Sequence, residues 1–386
     1  MTLHLAAELY SPSDMSTLQQ QPLLLLGLGG VGRALVRQIV ATRTRHAERN
    51  RLRFVIVGLA DSASSLFEPA GFADDHLITL IERKAQGERL GDGPLHSLPD
   101  DLPAETIVVD TSASEATLPL LLAAKARGMG VVLANKLPLA GPLAWWDALA
   151  DERSRWETTC GAALPVISTL NTLLDNGDDV LRIEGALSGT LGFLCAQLEA
   201  GRPFGEAVRE AKALGYTEPD PRQDLGGLDA ARKALILARM LGYRLTMADV
   251  SVESLYPAEM DALSVEEFLR AVDALDAPMR RRLDELTAGG RCLRYAAEIA
   301  DGRLRVGLVG VDPESKLGRI RSSDSIVVFH TRYFSDNPLA VSGRGAGQEV
   351  TASGVLGDLV NLARAMRTGA APPDAPSPPR IRRLTS

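Results

Sequence analysis

The sequence is short of the residues that build stapled, metal-bound or membrane-spanning proteins. Its 386 residues include 3 cysteines and 5 histidines. Cys160, Cys195 and Cys292 are odd in number, widely spaced and set in apolar or mixed segments. They supply neither a disulfide framework nor a zinc pattern, and they read as reduced structural thiols. The histidines never reach HxxxH or HxxE spacing, which argues against a transition-metal site. No run of 18 apolar residues occurs, and Leu23 to Leu26 is followed by glycines, so no helical membrane span is expected. The opening residues lack a basic n-region and a clear cleavage site, so a cytoplasmic protein is expected. Positive charge is also not in excess. Lys+Arg number 42 against 49 Asp+Glu, a formal charge of −7 with the basic residues scattered, which disfavours nucleic acid as a partner.

What is present is an ordinary globular composition, 45% apolar and 24% charged, in a chain long enough for two domains. Residues 1–21 are mixed and end in QQQ, the pattern of a loosely attached extension. From Pro22 the pattern becomes strand, glycine turn and helix, with further strand-like runs at Phe54 to Ala60, Ile107 to Asp110 and Val131 to Ala134, and helical segments between them. That alternation predicts an α/β fold, a parallel doubly wound (Rossmann) sheet over residues 22–156. Beyond Glu157 the alternation stops, and helices at Phe204 to Leu214 and Gly226 to Leu241 mix with strand candidates at Val180 to Ser188 and Leu304 to Val309. An α+β domain over 157–344 is expected. Residues 345–368 read as an amphipathic helix, and the Pro-rich 369–386 as a disordered tail unable to bury a core.

Gly27, Gly29 and Gly32 form GxGxxG, with Gly30 and Val31 between them, placed between a predicted strand and a predicted helix. In that context the motif gives a tight turn, close approach of backbone to a pyrophosphate, and a helix N-terminus facing the anion. Asp61 ends the second strand, where a carboxylate can bond the ribose hydroxyls of NAD and repel the extra phosphate of NADP. Its spacing from Gly32 is longer than usual, and Arg37, Arg43, Arg45, Arg51 and Arg53 lie nearby, so NAD and NADP both stay open.

The densest chemistry lies at residues 211–233, AKALGYTEPDPRQDLGGLDAARK, where ionisable groups crowd a Pro-broken turn that runs into a helix. Asp229 and Lys233 are four apart and share one helix face, a carboxylate orienting an ammonium, or else a plain surface ion pair. This stretch closely resembles the signature of homoserine dehydrogenases, A-x-x-x-G-Y-T-E-P-D-P-x-x-D-L-x-G-x-D-x-x-x-K. Segments Leu23 to Gly32, Ala134 to Lys136, Glu157 to Leu174, Gly185 to Leu194 and Gly343 to Asp358 look like the same family in the same order, so the resemblance covers roughly residues 22 to 367.

The resemblance implies NAD(P)H-dependent reduction of L-aspartate 4-semialdehyde to L-homoserine, on the route to threonine and methionine, by a homodimer joined through its second domain. It implies Lys233 as proton donor, Lys136 assisting at the same oxygen, and Asp229 holding substrate and Lys233 in register. Glu218, with Asp224, Tyr216 and Thr190, would bind the amino-acid part of the substrate. Glu218 could equally cap a turn, Asp224 cap the following helix, and Ser188–Thr190 cap a strand-to-helix turn. Ser112, Lys136 and Gly345 would join the glycines at the cofactor, although Ser112 could also be a helix N-cap. Glu157, Cys160, Ala162 and Leu164 match a loop that wraps a sodium ion with carbonyl oxygens, here reading C-G-A-A-L-P where the family has V-G-A-G-L-P. The stretch before Pro22 is too short for the aspartokinase fused to many relatives, and the tail too short for a threonine-binding domain, so a monofunctional, threonine-insensitive enzyme is expected. A dehydrogenase of another small amino-acid aldehyde and a non-catalytic NAD sensor are the rival readings.

Overall fold

The computed structural model describes residues 18–320 and 324–367; the expected tail, and most of the expected N-terminal extension, lie outside them. The described residues form two compact units. One holds the chain up to Asn135, Asp147–Trp156 and the part from Thr351 on; the other holds Lys136–Trp146 and Glu157–Val350. Lys136–Trp146, inside the expected 22–156 domain, groups with the second unit. The excursion at Lys136–Trp146 joins the second unit because Arg239 donates hydrogen bonds to the carbonyls of Leu139 and Gly141.

The first unit is built on a six-stranded sheet of β1 (Gln19–Leu26), β2 (Leu52–Ala60), β3 (Ser65–Phe67), β4 (Ile107–Asp110), β5 (Gly130–Leu133) and β6 (Ser154–Arg155), ordered β3-β2-β1-β4-β5-β6. Five strands are parallel, as the alternation predicts, and β3 pairs antiparallel to β2 at the edge. β3 and β6 escape a reading by pattern because they have three and two residues. Leu23 to Leu26 are at most 2% exposed, as a strand covered on both faces requires. The expected extension gives way to β1 at Gln19 rather than at Pro22, because Gln21 finds partners while fully buried: it donates to the Glu105 carbonyl and accepts from Gln19 Nε2. Pro22 is tolerated within β1 because pairing with β4 begins one residue later, at Leu23. Helix Gln348–Arg367 adds Ala352, Val355, Leu359, Leu362 and Ala363 to this unit's core.

The second unit carries β7 (Val180–Ala186), β8 (Val250–Val252), β9 (Cys292–Ala300), β10 (Arg303–Val311), β11 (Ser325–Thr331) and β12 (Leu339–Gly343), ordered β12-β11-β7-β9-β10-β8. All pairings are antiparallel except β8 with β10. The signature helix Leu228–Met240 packs on one face, where Tyr295 lies against Gly227 at the helix start. Ala296 therefore points the other way, with Ala186, Ile326, Val328 and Leu317. No described helix is long and apolar enough to cross a membrane.

Candidate active site

In the first unit the three motif glycines have distinct steric reasons. Gly27 has φ +94°, and a Cβ there would lie 2.6 Å from Ser112 N. A Cβ on Gly32 would lie 2.1 Å from the Gly27 carbonyl, whereas one on Gly29 would meet nothing within 4 Å, leaving room for a ligand against the backbone. Helix Gly30–Ala41 starts after Gly29 with no side-chain cap and no acidic residue in its first turn. The first N–H groups, from Gly30, Val31 and Gly32, thus sit at the positive end of an uncompensated helix dipole, and the loop fits a pyrophosphate.

Asp61 follows β2, and its carboxylate is already engaged. It accepts from the N–H groups of Ala63 and Ser64 and pairs with the Lys84 ammonium at 2.6 Å. Burial works against ionisation, but Lys84 and the turn N–H groups outweigh it and hold the carboxyl below the ordinary range. The expected ribose-binding carboxylate therefore comes with a cation attached. Ser112 is not a helix cap; Ser114 takes that role, accepting from Ala116 N. Ser112 instead joins a buried network that sequence reasoning missed. Asp110, fully buried, accepts from Ser112 N, Thr117 Oγ1 and Asn135 Nδ2, and Asn135 also reaches Ser112 Oγ and the Ser114 carbonyl. Burial pushes the Asp110 carboxyl up despite these bonds. Its place at the end of β4 was the available signal.

In the second unit Asp229, Lys233 and Lys136 meet. Asp229 and Lys233 lie one turn apart on the signature helix, with Lys233 Nζ 2.8 Å from Asp229 Oδ2. Lys136, at the N-cap of the short helix Leu137–Ala140, places its Nζ 3.3 Å from Asp229 Oδ1. Each carboxylate oxygen thus orients one ammonium. Lys233 also donates to the Leu187 carbonyl at 2.7 Å and is 12% exposed. Desolvation alone would raise the Asp229 carboxyl, but the two ammonium groups outweigh it and hold it far below the usual carboxylate range. The side chain of Asp229 is 48% exposed, so the trio opens to a ligand.

The expected substrate-binding residues gather at the turn before this helix. Asp224 does not cap the signature helix, whose N-cap is Gly227; it lies in the one-turn helix Arg222–Leu225 and accepts from Glu218 N at 2.8 Å and Thr190 Oγ1 at 3.1 Å. The single hydroxyl proton of Thr190 is shared between that carboxylate and the Tyr216 carbonyl, 2.6 Å away. Burial raises the Asp224 carboxyl, and the negative charges of Glu218 and Asp229 raise it further. Glu218 is exposed, as is Tyr216, whose ring packs on Phe193. Three carboxylates within electrostatic reach of one another favour a cationic ligand. Ser188 is a helix cap, accepting from Leu191 N.

Glu157 caps helix Val166–Asp175: its carboxylate accepts from Ile167 N and Ser168 N, and burial pushes it up. Cys160 is a buried thiol pushed up to about 12 by burial, and it donates to the Lys233 carbonyl, so this loop lies behind the lysine. Ala162 takes a positive φ of 52°, and the Leu164 carbonyl accepts from Val166 N. Among the described residues no three His, Cys, Asp or Glu side chains gather as a metal site. Gly345 lies in the second unit, where a Cβ would meet Ser325 Oγ at 2.1 Å, so its close packing accounts for glycine there.

Residues 165–360 match the model of the homoserine dehydrogenase family, and residues 27–160 that of the homoserine dehydrogenase NAD-binding domain. A homoserine dehydrogenase of Emericella nidulans is 35% identical over 88% of this chain and 97% of its own length. A bifunctional aspartokinase/homoserine dehydrogenase of Haemophilus influenzae is 33% identical over 88% of this chain and 42% of its own; the chain spans about two fifths of the length of such relatives. The crystal structure of a homoserine dehydrogenase from Thermoplasma acidophilum superposes with a TM-score of 0.67 at 25% identity, covering 90% of this chain and all of that one.

Proposed function

Given that the chain belongs to the homoserine dehydrogenase family, we propose that it interconverts L-aspartate 4-semialdehyde and L-homoserine with a nicotinamide dinucleotide. The observation that carries this reading is the shared carboxylate: Asp229 orients two ammonium groups with its two oxygens. When bound, the nicotinamide supplies hydride to the carbonyl carbon in reduction and takes it from the hydroxymethyl carbon in oxidation. Negative charge then grows on the substrate oxygen, and Lys233 donates a proton to it while Lys136 stabilises the charge before transfer. In oxidation Lys233 takes the hydroxyl proton. Asp229 fixes both ammonium groups in advance, so no reorganisation is needed at the moment of reaction. Glu218 and Asp224 pair with the substrate ammonium, and this accounts for carboxylates gathered where their mutual repulsion raises Asp224.

The Asp61–Lys84 pair supports use of both cofactors, the carboxylate meeting the ribose hydroxyls of NAD and the ammonium the 2′-phosphate of NADP. A monovalent cation at the carbonyls of Glu157, Cys160, Ala162 and Leu164 belongs to the same proposal, supported by the positive φ of Ala162, which turns that backbone out of its helical path. So does a homodimer, supported by the half-buried Val309, Val311 and Ala340 on the second sheet's face opposite the signature helix; light scattering coupled to size exclusion tests it. The reaction is tested by steady-state oxidation of L-homoserine with NAD and NADP, beside other small amino alcohols. Turnover confined to another alcohol would replace the substrate, and no turnover with any would favour a binding protein.

A further inference from the structure

The short helix Leu137–Ala140 carries Lys136 at its N-cap but is too short to hold its own position. Its last carbonyls have no later turn to bond. Arg239 supplies the partners: Nη1 donates to the Leu139 carbonyl at 2.6 Å and Nη2 to the Gly141 carbonyl at 2.7 Å. The same guanidinium reaches the Leu245 carbonyl with Nε at 3.1 Å and Nη2 at 3.0 Å, so its planar fork spans three carbonyls. Arg239 is 4% exposed, and its guanidinium carbon sits 6.0 Å from the centre of the Trp146 ring. Gly141 keeps the turn close, since a Cβ there would lie 2.3 Å from the Trp145 ring.

Arg239 belongs to the same helix as Asp229 and Lys233, about 9 Å along the axis from the latter at 1.5 Å per residue. It therefore ties the segment bearing one lysine to the helix bearing the other. We propose that Arg239 is a positioning residue, which sets the Lys136 ammonium against Asp229 by clamping the carbonyl end of helix Leu137–Ala140. The assignment rests on the reading of the lysine pair as the reaction centre. Lysine could keep the charge at this position, but one ammonium nitrogen cannot reproduce a fork spanning three carbonyls.

The test is a double-mutant cycle on the full chain. Arg239→Lys should lower kcat for homoserine by about 10–10²-fold, the effect of a small misplacement of a reacting group. In a Lys136→Met background the same change should lower kcat by less than about twofold, because the group it positions is gone. A loss equal in both backgrounds overturns the proposal, as does normal kcat in Arg239→Lys. A second readout needs no turnover: peptide mass analysis after brief acetylation should find Lys136 labelled several-fold faster in Arg239→Lys than in wild type, as expected of a loosened segment. Equal labelling overturns the proposal. If wild-type protein does not oxidise homoserine, the proposed function falls and the labelling alone decides on Arg239. If Arg239→Lys does not fold, Arg239→Gln goes through both measurements, and failure of both variants to fold makes Arg239 a stability residue and overturns the proposal.

Discussion

Replacing Lys233 with methionine removes the ammonium while keeping most of the stem that fills its place on the signature helix. Two interactions are lost, the hydrogen bond to the Leu187 carbonyl at 2.7 Å and the pairing with Asp229 at 2.8 Å. The hydrogen bond involves a charged donor and contributes about 1.5–3 kcal/mol; the ion pair, facing a half-exposed carboxylate, adds up to about 1 kcal/mol. A domain stable by about 5–15 kcal/mol survives that loss. Asp229 keeps Lys136 at 3.3 Å, so the carboxylate stays ionised at neutral pH. The chemical step has no such reserve. Loss of a positioned proton donor lowers kcat by about 10²–10⁴, or about 2.7–5.4 kcal/mol of barrier. Gly27, Gly29, Gly32, Asp61 and Ser112 are untouched, so cofactor affinity should hold. Three measurements suffice: thermal unfolding by circular dichroism, fluorescence titration with the reduced cofactors, and kcat for homoserine at saturating substrate. A folded variant with kcat within about threefold of wild type refutes the proton-donor role, and a collapse of cofactor binding would show that Lys233 does something else.

Glu218→Gln should raise KM for homoserine by about tenfold with kcat nearly unchanged, since it weakens a charged contact to the ammonium; a collapse of kcat at constant KM would move Glu218 into the chemistry. Asp61→Ala should shift the ratio of kcat/KM towards NADP, because it removes a repelling carboxylate and frees Lys84; an unmoved ratio puts Asp61 away from the ribose. Asp229 also makes a stability prediction. Its folded pKa lies below the unfolded value of about 3.9, so its stabilisation is complete above that pH and drains away as pH falls towards the folded value. Asp229→Asn should flatten the fall of Tm below about pH 4, and a curve parallel to wild type would contradict the pairing.

The parts of the site written in short stretches were legible in the sequence. GxGxxG combines a tight turn, a close contact and a helix start within six residues, and the signature places Glu218, Asp224, Asp229 and Lys233 on one turn and the first turns of a helix. The parts that depend on long-range pairing were not. Lys136 meets Asp229 across 93 residues of chain, counted as 229 minus 136. Arg239 sits within an apolar helical run, and its carbonyl partners Leu139 and Gly141 leave no trace in side-chain pattern. Glu157 matched a cation-binding loop, yet its carboxylate caps the helix that follows, because a buried N-terminus needs acceptors whatever else the loop does. Asn135 carries no signal of its own in the sequence beside Lys136, yet its amide joins the ends of β4 and β5.

The central claim is that Lys233 and Lys136, held by one carboxylate, serve hydride transfer between homoserine and a nicotinamide ring. The most direct measurement incubates the protein with L-homoserine deuterated at its hydroxymethyl carbon and the oxidised cofactor, then follows the label by mass spectrometry. The account predicts deuterium in the reduced cofactor in step with L-aspartate 4-semialdehyde formed, and loss of this transfer in Lys233→Met. Label that stays in homoserine, or transfer that persists undiminished without Lys233, would contradict it.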